Sequence, residues 1–146
     1  MSLQSTTTAK FKVQNLNGED IMQIMGQGGN MVFNITANGG IQISPILITA
    51  NGPINPSMSA PYVITKNGIA ALTLAAPGVG ADDGIQILIA SATAFAHTLT
   101  TPGLLLTGTA SINTASFQTN AGSSLTLMAY QGKWIVISTN GTISYT

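Results

Sequence analysis

The sequence contains no cysteine and very little charge. Without cysteine the chain can form neither disulfides nor thiolate metal sites. Charged residues make up 5% of its 146 residues, and the formal net charge is zero. Soluble domains usually carry about 25% charged residues, and an uncharged surface gives a monomer little protection against self-association. The composition therefore predicts a protein whose surface is largely buried against other subunits.

Other absences exclude further classes of function. No basic patch is present, so nucleic-acid binding is not expected. No apolar run approaches the roughly 20 residues that cross a bilayer, and the polar start, Met1–Thr8, is not expected to be a signal peptide. Low charge with abundant Gly, Ser, Thr and Asn would also suit disorder, but the dense β-branched runs argue against it.

The clearest structural signal is a hairpin over Ser124–Ser138. Its first arm alternates apolar and polar residues with the period of a pleated strand. Gln131-Gly132 supplies the tight turn, since glycine adopts the positive φ that short hairpin turns need. The second arm begins at Trp134, the only tryptophan and the largest apolar anchor in the chain.

The whole chain is predicted to be all-β, because short apolar runs alternate with turn signals and no helical periodicity is present. Residues 1–10 are predicted to form a flexible arm, and 11–50 a β-rich stalk. Residues 51–61 contain three prolines and a glycine and are predicted to be a linker. Residues 62–146 are predicted to form an antiparallel β-sandwich or jelly-roll-like module.

A weak repeat runs through the predicted stalk. Gly18, Gly29 and Gly40 recur every 11 residues. The same interval separates three isoleucines: Ile24, Ile35 and Ile46. Regular turns between short strands suggest stacked β-layers, which would need wrapping with two other chains to bury a core. The alternative is an ordinary β-meander in which the spacing is coincidental.

Two further patterns mark the C-terminal module. Asn67-Gly68 lies between two apolar runs, at 62–66 and 69–75, and predicts a hairpin. Ile85, Ile87 and Ile89 alternate with other largely apolar residues, so both faces of this strand are apolar. Such a strand fits the centre of a sandwich or a subunit interface.

Three segments together resemble the structural proteins of tailed bacteriophages: residues 60–68, the Asp82-Asp83-Gly84 turn with its Ile-rich strand, and the ending at 125–137. The resemblance is to small β-rich head-decoration, head-fibre and tail-fibre modules. It implies a homotrimer on the virion surface, with the major capsid protein as partner. The chain has the size of a decoration or cement protein, and this favours the head over the tail.

The predicted function is therefore that of a non-enzymatic virion protein that binds and stabilises the capsid surface, with no cofactor. The alternative is a tail-fibre or adhesin module that recognises a host receptor or glycan. The resemblance makes residues 11–50 a stalk or capsid-docking module, and the predicted capsid-docking residues are Lys10, Phe11 and Lys12. The predicted core or subunit-interface residues are Ile24, Ile35, Ile46, Ile85, Ile87, Ile89, Leu125, Leu127 and Trp134.

Candidate catalytic or metal-binding groups are few. His97 is the only histidine, and without a neighbouring acid it is expected to be structural. Asp82-Asp83 fits a turn better than a metal loop. Glu19-Asp20 has no partner acid in reach, and the glycines at 26–29 lack the lysine and helix of a phosphate loop.

Three tyrosines could contribute to a sugar-binding surface if they are exposed, although packing roles suit them better. They are Tyr62, Tyr130 and Tyr145.

Overall fold

A computed structural model describes residues 10–13, 22–25, 31–36, 40–55, 60–108 and 110–146. Strands dominate these residues, and no helix occurs among them, which confirms the all-β prediction. The chain divides into two compact units, residues 1–44 and 45–146. This division lies before the predicted linker at 51–61, and Gly52–Ile54 within that segment forms a strand.

The first unit contains one antiparallel sheet of four strands in the order β1-β2-β3-β4. Its strands are β1 (Lys10–Val13), β2 (Met22–Met25), β3 (Met31–Ile35) and β4 (Ile41–Ile43). Consecutive strands pair, so the described part of this unit is a meander, the alternative to stacked layers. Ile46 of the 11-residue repeat lies in the second unit, so the three repeated isoleucines do not occupy equivalent strands.

The second unit contains one continuous sheet of ten strands. They are β5 (Ile46–Ile48), β6 (Gly52–Ile54), β7 (Ala60–Ile64), β8 (Ala71–Leu74), β9 (Gln86–Ser91), β10 (Thr98–Thr107), β11 (Ala110–Phe117), β12 (Ser124–Tyr130), β13 (Lys133–Asn140) and β14 (Ile143–Tyr145). Their main order is β14-β11-β10-β13-β12-β9-β7-β5, and β8 pairs with both β10 and β6. The ladders β9-β12-β13 and β10-β11-β14 are antiparallel, as predicted.

The first half of this unit is a stack of parallel strands that the sequence did not indicate. We use the term rung for each of three successive two-strand segments: β5 and β6, β7 and β8, and β9 and the start of β10. Within each rung the chain crosses from one ladder to the other through an arch, at 49–51, 65–70 and 92–97. Equivalent strands of successive rungs pair in parallel: β5-β7-β9 on one side and β6-β8-β10 on the other.

The Asn67-Gly68 hairpin prediction is therefore wrong. Both flanking strands exist, as β7 and β8, but β7 pairs with β5 and β9 while β8 pairs with β6 and β10. The six-residue segment 65–70 is an arch between ladders, and Gly68 takes a φ of 134° in it. Ladder partners above and below each strand replace the local hairpin pairing.

A single hydrophobic core joins the two ladders. Inward residues alternate with outward ones along β7, β8, β9 and β12, as expected for strands with one buried face. The largest fully buried side chain is that of Trp134. Its neighbours across the sheet are Ala129 on β12 and Leu105 on β10, so the tryptophan lies where the sheet turns from one ladder to the other.

The Gln131-Gly132 hairpin forms as predicted, with Tyr130 opposite Lys133. Both turn residues have positive φ, 49° at Gln131 and 72° at Gly132, the combination that a two-residue hairpin favours. A side chain at position 132 would also approach Val79 closely, because an added Cβ would lie 3.0 Å from its Cγ2.

Candidate functional surfaces

His97 is fully buried and fully hydrogen-bonded between two arches. Its Nδ1 accepts a hydrogen bond from the backbone N–H of Ala70 at 3.0 Å. Its Nε2 lies 3.1 Å from the hydroxyl of Thr93, which donates to the carbonyl of Lys66 at 3.2 Å. Because Nδ1 accepts, the proton sits on Nε2 and the ring is neutral.

The surroundings of His97 favour this neutral form. Burial lowers the pKa of His97 below its ordinary value. A hydrogen bond with the backbone of Thr93 opposes this shift, and the charge of Lys66 adds to it. Two aromatic rings pack edge-on to the imidazole, those of Phe95 and Phe117. Both ring nitrogens are engaged inside the fold, which supports the structural role predicted for this histidine.

The arches are also joined at the surface. The side-chain oxygen of Asn51 accepts from Lys66 Nζ at 2.8 Å and from the backbone N–H of Ala71 at 3.1 Å. Lys66 Nζ also donates to the carbonyl of Ile69. Together with the hydrogen bond from the Thr93 hydroxyl to the Lys66 carbonyl, these contacts connect all three arches. The sequence alone does not indicate this network, because each contact depends on the parallel stacking of rungs far apart in sequence.

The two acids of the Asp82-Asp83-Gly84 turn hold loops in place. Asp82 accepts the N–H of Gly78 at 2.6 Å. Asp83 accepts the backbone N–H of Gln131 at 2.7 Å and its side-chain amide at 2.8 Å. Among the described residues no group of three acids or histidines is placed to hold a metal ion. Glu19-Asp20 and the glycines at 26–29 lie outside the described residues.

Most predicted interface residues of the second unit lie in the core of one chain. Five of them are completely buried: Ile87, Ile89, Leu125, Leu127 and Trp134. Ile46 and Ile85 are partly buried against the same core. The indole N–H of Trp134 donates to the carbonyl of Ala75 at 2.8 Å, so this side chain is satisfied within its own subunit.

The predicted interface residues of the first unit behave differently. Ile24 and Ile35 are partly buried and share one face of the sheet with Phe33, Ile41 and Ile43, since opposed and alternate residues point the same way. Ile41 is 71% exposed and Ile43 is 45% exposed. On the opposite face, Asn34 is buried with its Oδ1 unpartnered.

The predicted docking residues Lys10, Phe11 and Lys12 lie in β1, with Met25, Ile24 and Gln23 as their partners on β2. The predicted arm thus enters a sheet by Lys10, and residues 1–9 lie outside the described residues.

Other large apolar side chains are exposed on the second unit. Leu47, Leu88 and Ile137 lie on outer positions of β5, β9 and β13 and are 59%, 40% and 52% exposed. Ile137 follows the inward Trp134 and Val136 in the alternation of β13 and is therefore directed outward. It is also the extra residue of β13 opposite Thr126 and Leu127 of β12.

A cavity of about 250 Å³ opens at the first rung, lined by residues 46–54, Tyr62 and Leu72. Its walls are mainly apolar side chains and the backbone of the first arch. Tyr62 is buried there, and its hydroxyl donates to the carbonyl of Asn55 at 3.2 Å. Among the described residues that line it, Tyr62 is the only ionisable one.

The three tyrosines do not form one exposed surface. Only Tyr130 is exposed, at the tip of the hairpin. The hydroxyl of Tyr145 is buried, and burial raises the pKa of Tyr62 and of Tyr145 above the ordinary value. Two of the three are thus packing residues.

Among the described residues no helix is long and apolar enough to span a membrane. No protein-family model matches the chain, and no curated protein matches it.

Proposed function

We propose that this chain is a non-enzymatic structural protein of a bacteriophage virion. In this proposal it is a capsid decoration, cement or head-fibre protein that binds and stabilises the capsid surface as a homotrimer. The observation that carries the proposal is the pairing of two features. Large apolar side chains are exposed on both units, and the chain has only eight charged residues to keep such surfaces apart.

The polar chemistry of the second unit supports the same proposal. His97, Lys66, Asp82 and Asp83 each hold an arch or a loop through hydrogen bonds within the fold. Side chains that are hydrogen-bonded within the fold make it rigid, and rigidity suits a protein that must keep its shape on a particle. The phage assignment itself rests on the resemblance of residues 60–68, 82–84 and 125–137.

Attachment is assigned to the N-terminal arm and the sheet it enters, with the second unit outward. Lys10 and Lys12 are half of the lysines in the chain. Three arms on one trimer would bind with avidity, because each further arm binds at a high effective concentration. An arm that becomes ordered on a surface can also cover a wide area.

The test is co-sedimentation with capsids of the encoding phage that were prepared without this protein. Wild type should saturate the capsids, and the double variant Lys10→Gln/Lys12→Gln should bind at least tenfold more weakly while staying folded. Lys133→Gln is the matched control, since Lys133 is an exposed lysine on the second unit whose Nζ contacts only the Gly103 carbonyl among the described contacts, at 3.3 Å. It should bind like wild type.

Two results would contradict the proposal. Unchanged affinity of the double variant would move attachment to the second unit. Failure of wild type to bind any capsid, together with saturable binding to host-cell glycan, would support the tail-fibre or adhesin alternative.

A further inference from the structure

The sheet of the first unit has an apolar face that is incompletely covered and two terminal strands. Ile24, Phe33, Ile35, Ile41 and Ile43 share that face, and exposure rises toward β4. All three residues of β4 are exposed. A short sheet is stable only if its apolar face is packed against something.

The terminal strand β4 lacks the usual protection against pairing. Natural proteins place lysine, proline or a bulge on exposed edge strands to prevent this. β4 reads Ile-Gln-Ile and is regularly paired with β3, with Ile43 opposite Phe33 and Ile41 opposite Ile35. Among the described residues its other edge has no strand partner. This edge is therefore suited to pairing with a strand of another chain.

We propose that copies of this chain join through these sheets, with β4 of one copy pairing with β1 of the next. The sheets then close a ring with their apolar faces inside. The ring size of three rests on the homotrimer proposed above. The trimer then forms through this apolar face and this strand pairing.

Strand direction permits this ring. Four consecutive antiparallel strands place β1 and β4 in opposite directions. In a cyclic assembly whose axis follows the strands, β4 is therefore antiparallel to β1 of the neighbour, and the ladder continues unchanged. In one such register, Ile43 lies opposite the neighbour's Phe11 and Ile41 lies opposite its Val13. Two rows of cross-strand partners then continue round the ring: Phe11–Ile24–Phe33–Ile43 and Val13–Met22–Ile35–Ile41.

Charge favours this pairing over a two-fold one. Pairing β1 with β1 of a second copy would place Lys10 and Lys12 of both copies in one ladder, and opposed like charges destabilise sheets. The lysines of β1 thus protect that edge against pairing with itself but not against pairing with the uncharged β4, where Lys12 lies opposite Gln42. Pairing β4 with β4 meets no repulsion, but it produces an open sheet whose apolar face stays uncovered.

Area also favours a ring. A face four strands wide and about four residues long covers roughly 260 Å², with about 4.8 Å per strand and about 3.4 Å per residue. A stable interface buries about 800 Å² from each partner. One such face packed on another is therefore too small, whereas a ring uses the face and both edges of every copy.

The first test compares two charged substitutions on adjacent residues of β4, using size-exclusion chromatography with light scattering. Ile41→Lys places a charge on the apolar face, at a side chain so exposed that the single chain should still fold. Gln42→Glu places a charge on the opposite face, where in the ring it lies opposite the neighbour's Lys12 and the two charges attract. We expect a trimer for wild type and Gln42→Glu. For Ile41→Lys we expect a folded monomer, with association at least tenfold weaker.

The second test uses the absence of native cysteine. Lys12→Cys combined with Gln42→Cys should cross-link under oxidation into covalent trimers. Gln42→Cys alone should give no cross-link. Covalent dimers from Gln42→Cys alone would show β4–β4 pairing and would overturn the ring.

These outcomes separate the inference from the proposed function. A wild-type trimer that Ile41→Lys leaves intact overturns the ring, while capsid binding can still hold. A wild-type monomer at micromolar concentration overturns the ring and the homotrimer together. A ring that forms but never binds capsids supports the inference and overturns the decoration function.

Discussion

The carboxylate of Asp83 binds both the backbone N–H and the side-chain amide of Gln131, at 2.7 and 2.8 Å. The two residues are 48 positions apart, and the contact fixes the loop before β9 to the tip of the β12–β13 hairpin. Gln131 is the only described non-glycine residue with positive φ. The aspartate therefore supports the turn at its least favourable backbone position.

Asp83→Ala should lower the free energy of unfolding by about 1 to 2 kcal/mol, because both hydrogen bonds to Gln131 are lost. Urea denaturation at neutral pH measures this. Asp83→Asn is the control, since its amide oxygen can still accept the backbone N–H, and it should lose less. Equal stability of wild type and Asp83→Ala would show that the hairpin tip does not depend on this contact.

Stability should fall in mild acid because of His97. Its pKa is lowered in the folded chain, so below about pH 6.5 the unfolded chain takes up a proton that the folded chain does not. The free energy of unfolding should then decrease as the pH falls toward the folded-state pKa, by at most about 1.4 kcal/mol per pH unit. Above about pH 7 this contribution is constant.

Denaturation at pH 7.5, 6.5 and 5.5 tests this dependence. His97 is the only histidine, so His97→Gln should be less stable at pH 7.5 but should show a flatter profile. If the variant keeps the wild-type slope, another group is responsible.

Trp134→Ala should cost about 3 to 5 kcal/mol, since it removes the largest fully buried side chain from the core. Trp134→Phe keeps most of the ring but leaves the Ala75 carbonyl without the indole N–H, which should cost about 1 to 3 kcal/mol. Fluorescence provides a direct check, because a buried indole emits at shorter wavelength than one in water. Water-like emission from the folded protein would contradict this placement.

Asn51→Ala should loosen the first arch, because its side-chain oxygen accepts from both Lys66 and Ala71. We expect a loss of about 1 to 2 kcal/mol and faster amide exchange at Ala71. Asn51→Asp retains an oxygen acceptor and should stay close to wild type. Amide exchange that does not change at Ala71 in Asn51→Ala would rule out this role.

Local signals predicted structure where the partner is close in sequence. The Gln131-Gly132 hairpin formed because its two arms are each other's nearest partners. The buried positions Leu125 and Leu127 followed from the apolar–polar alternation of one strand, and Ile87 and Ile89 from the apolar run of another. Both patterns are complete within about 15 residues and need no knowledge of the rest of the fold.

Non-local pairing could not be predicted in the same way. Asn67-Gly68 carries the same kind of turn signal as Gln131-Gly132, yet β7 finds Ile46–Ile48 and Gln86–Ser91 as its partners. Contacts such as those of His97 with Ala70 and Asp83 with Gln131 exist only once these ladders form. The sequence shows which side chains can form hydrogen bonds, but their partners are determined by the fold.

The parallel rungs also have a consequence for how such a chain can change in length. The two strands of each rung pair with the equivalent strands of the rungs before and after it. The strand ladders of such a stack therefore involve only neighbouring rungs. Inserting a copy of 60–85, one rung with its return loop, would lengthen the stack without disturbing the hairpin end that contains Trp134. Modules of this type can therefore grow by whole rungs, whereas loss of 60–85 would also remove Ala75 and Asp83, the partners of Trp134 and Gln131.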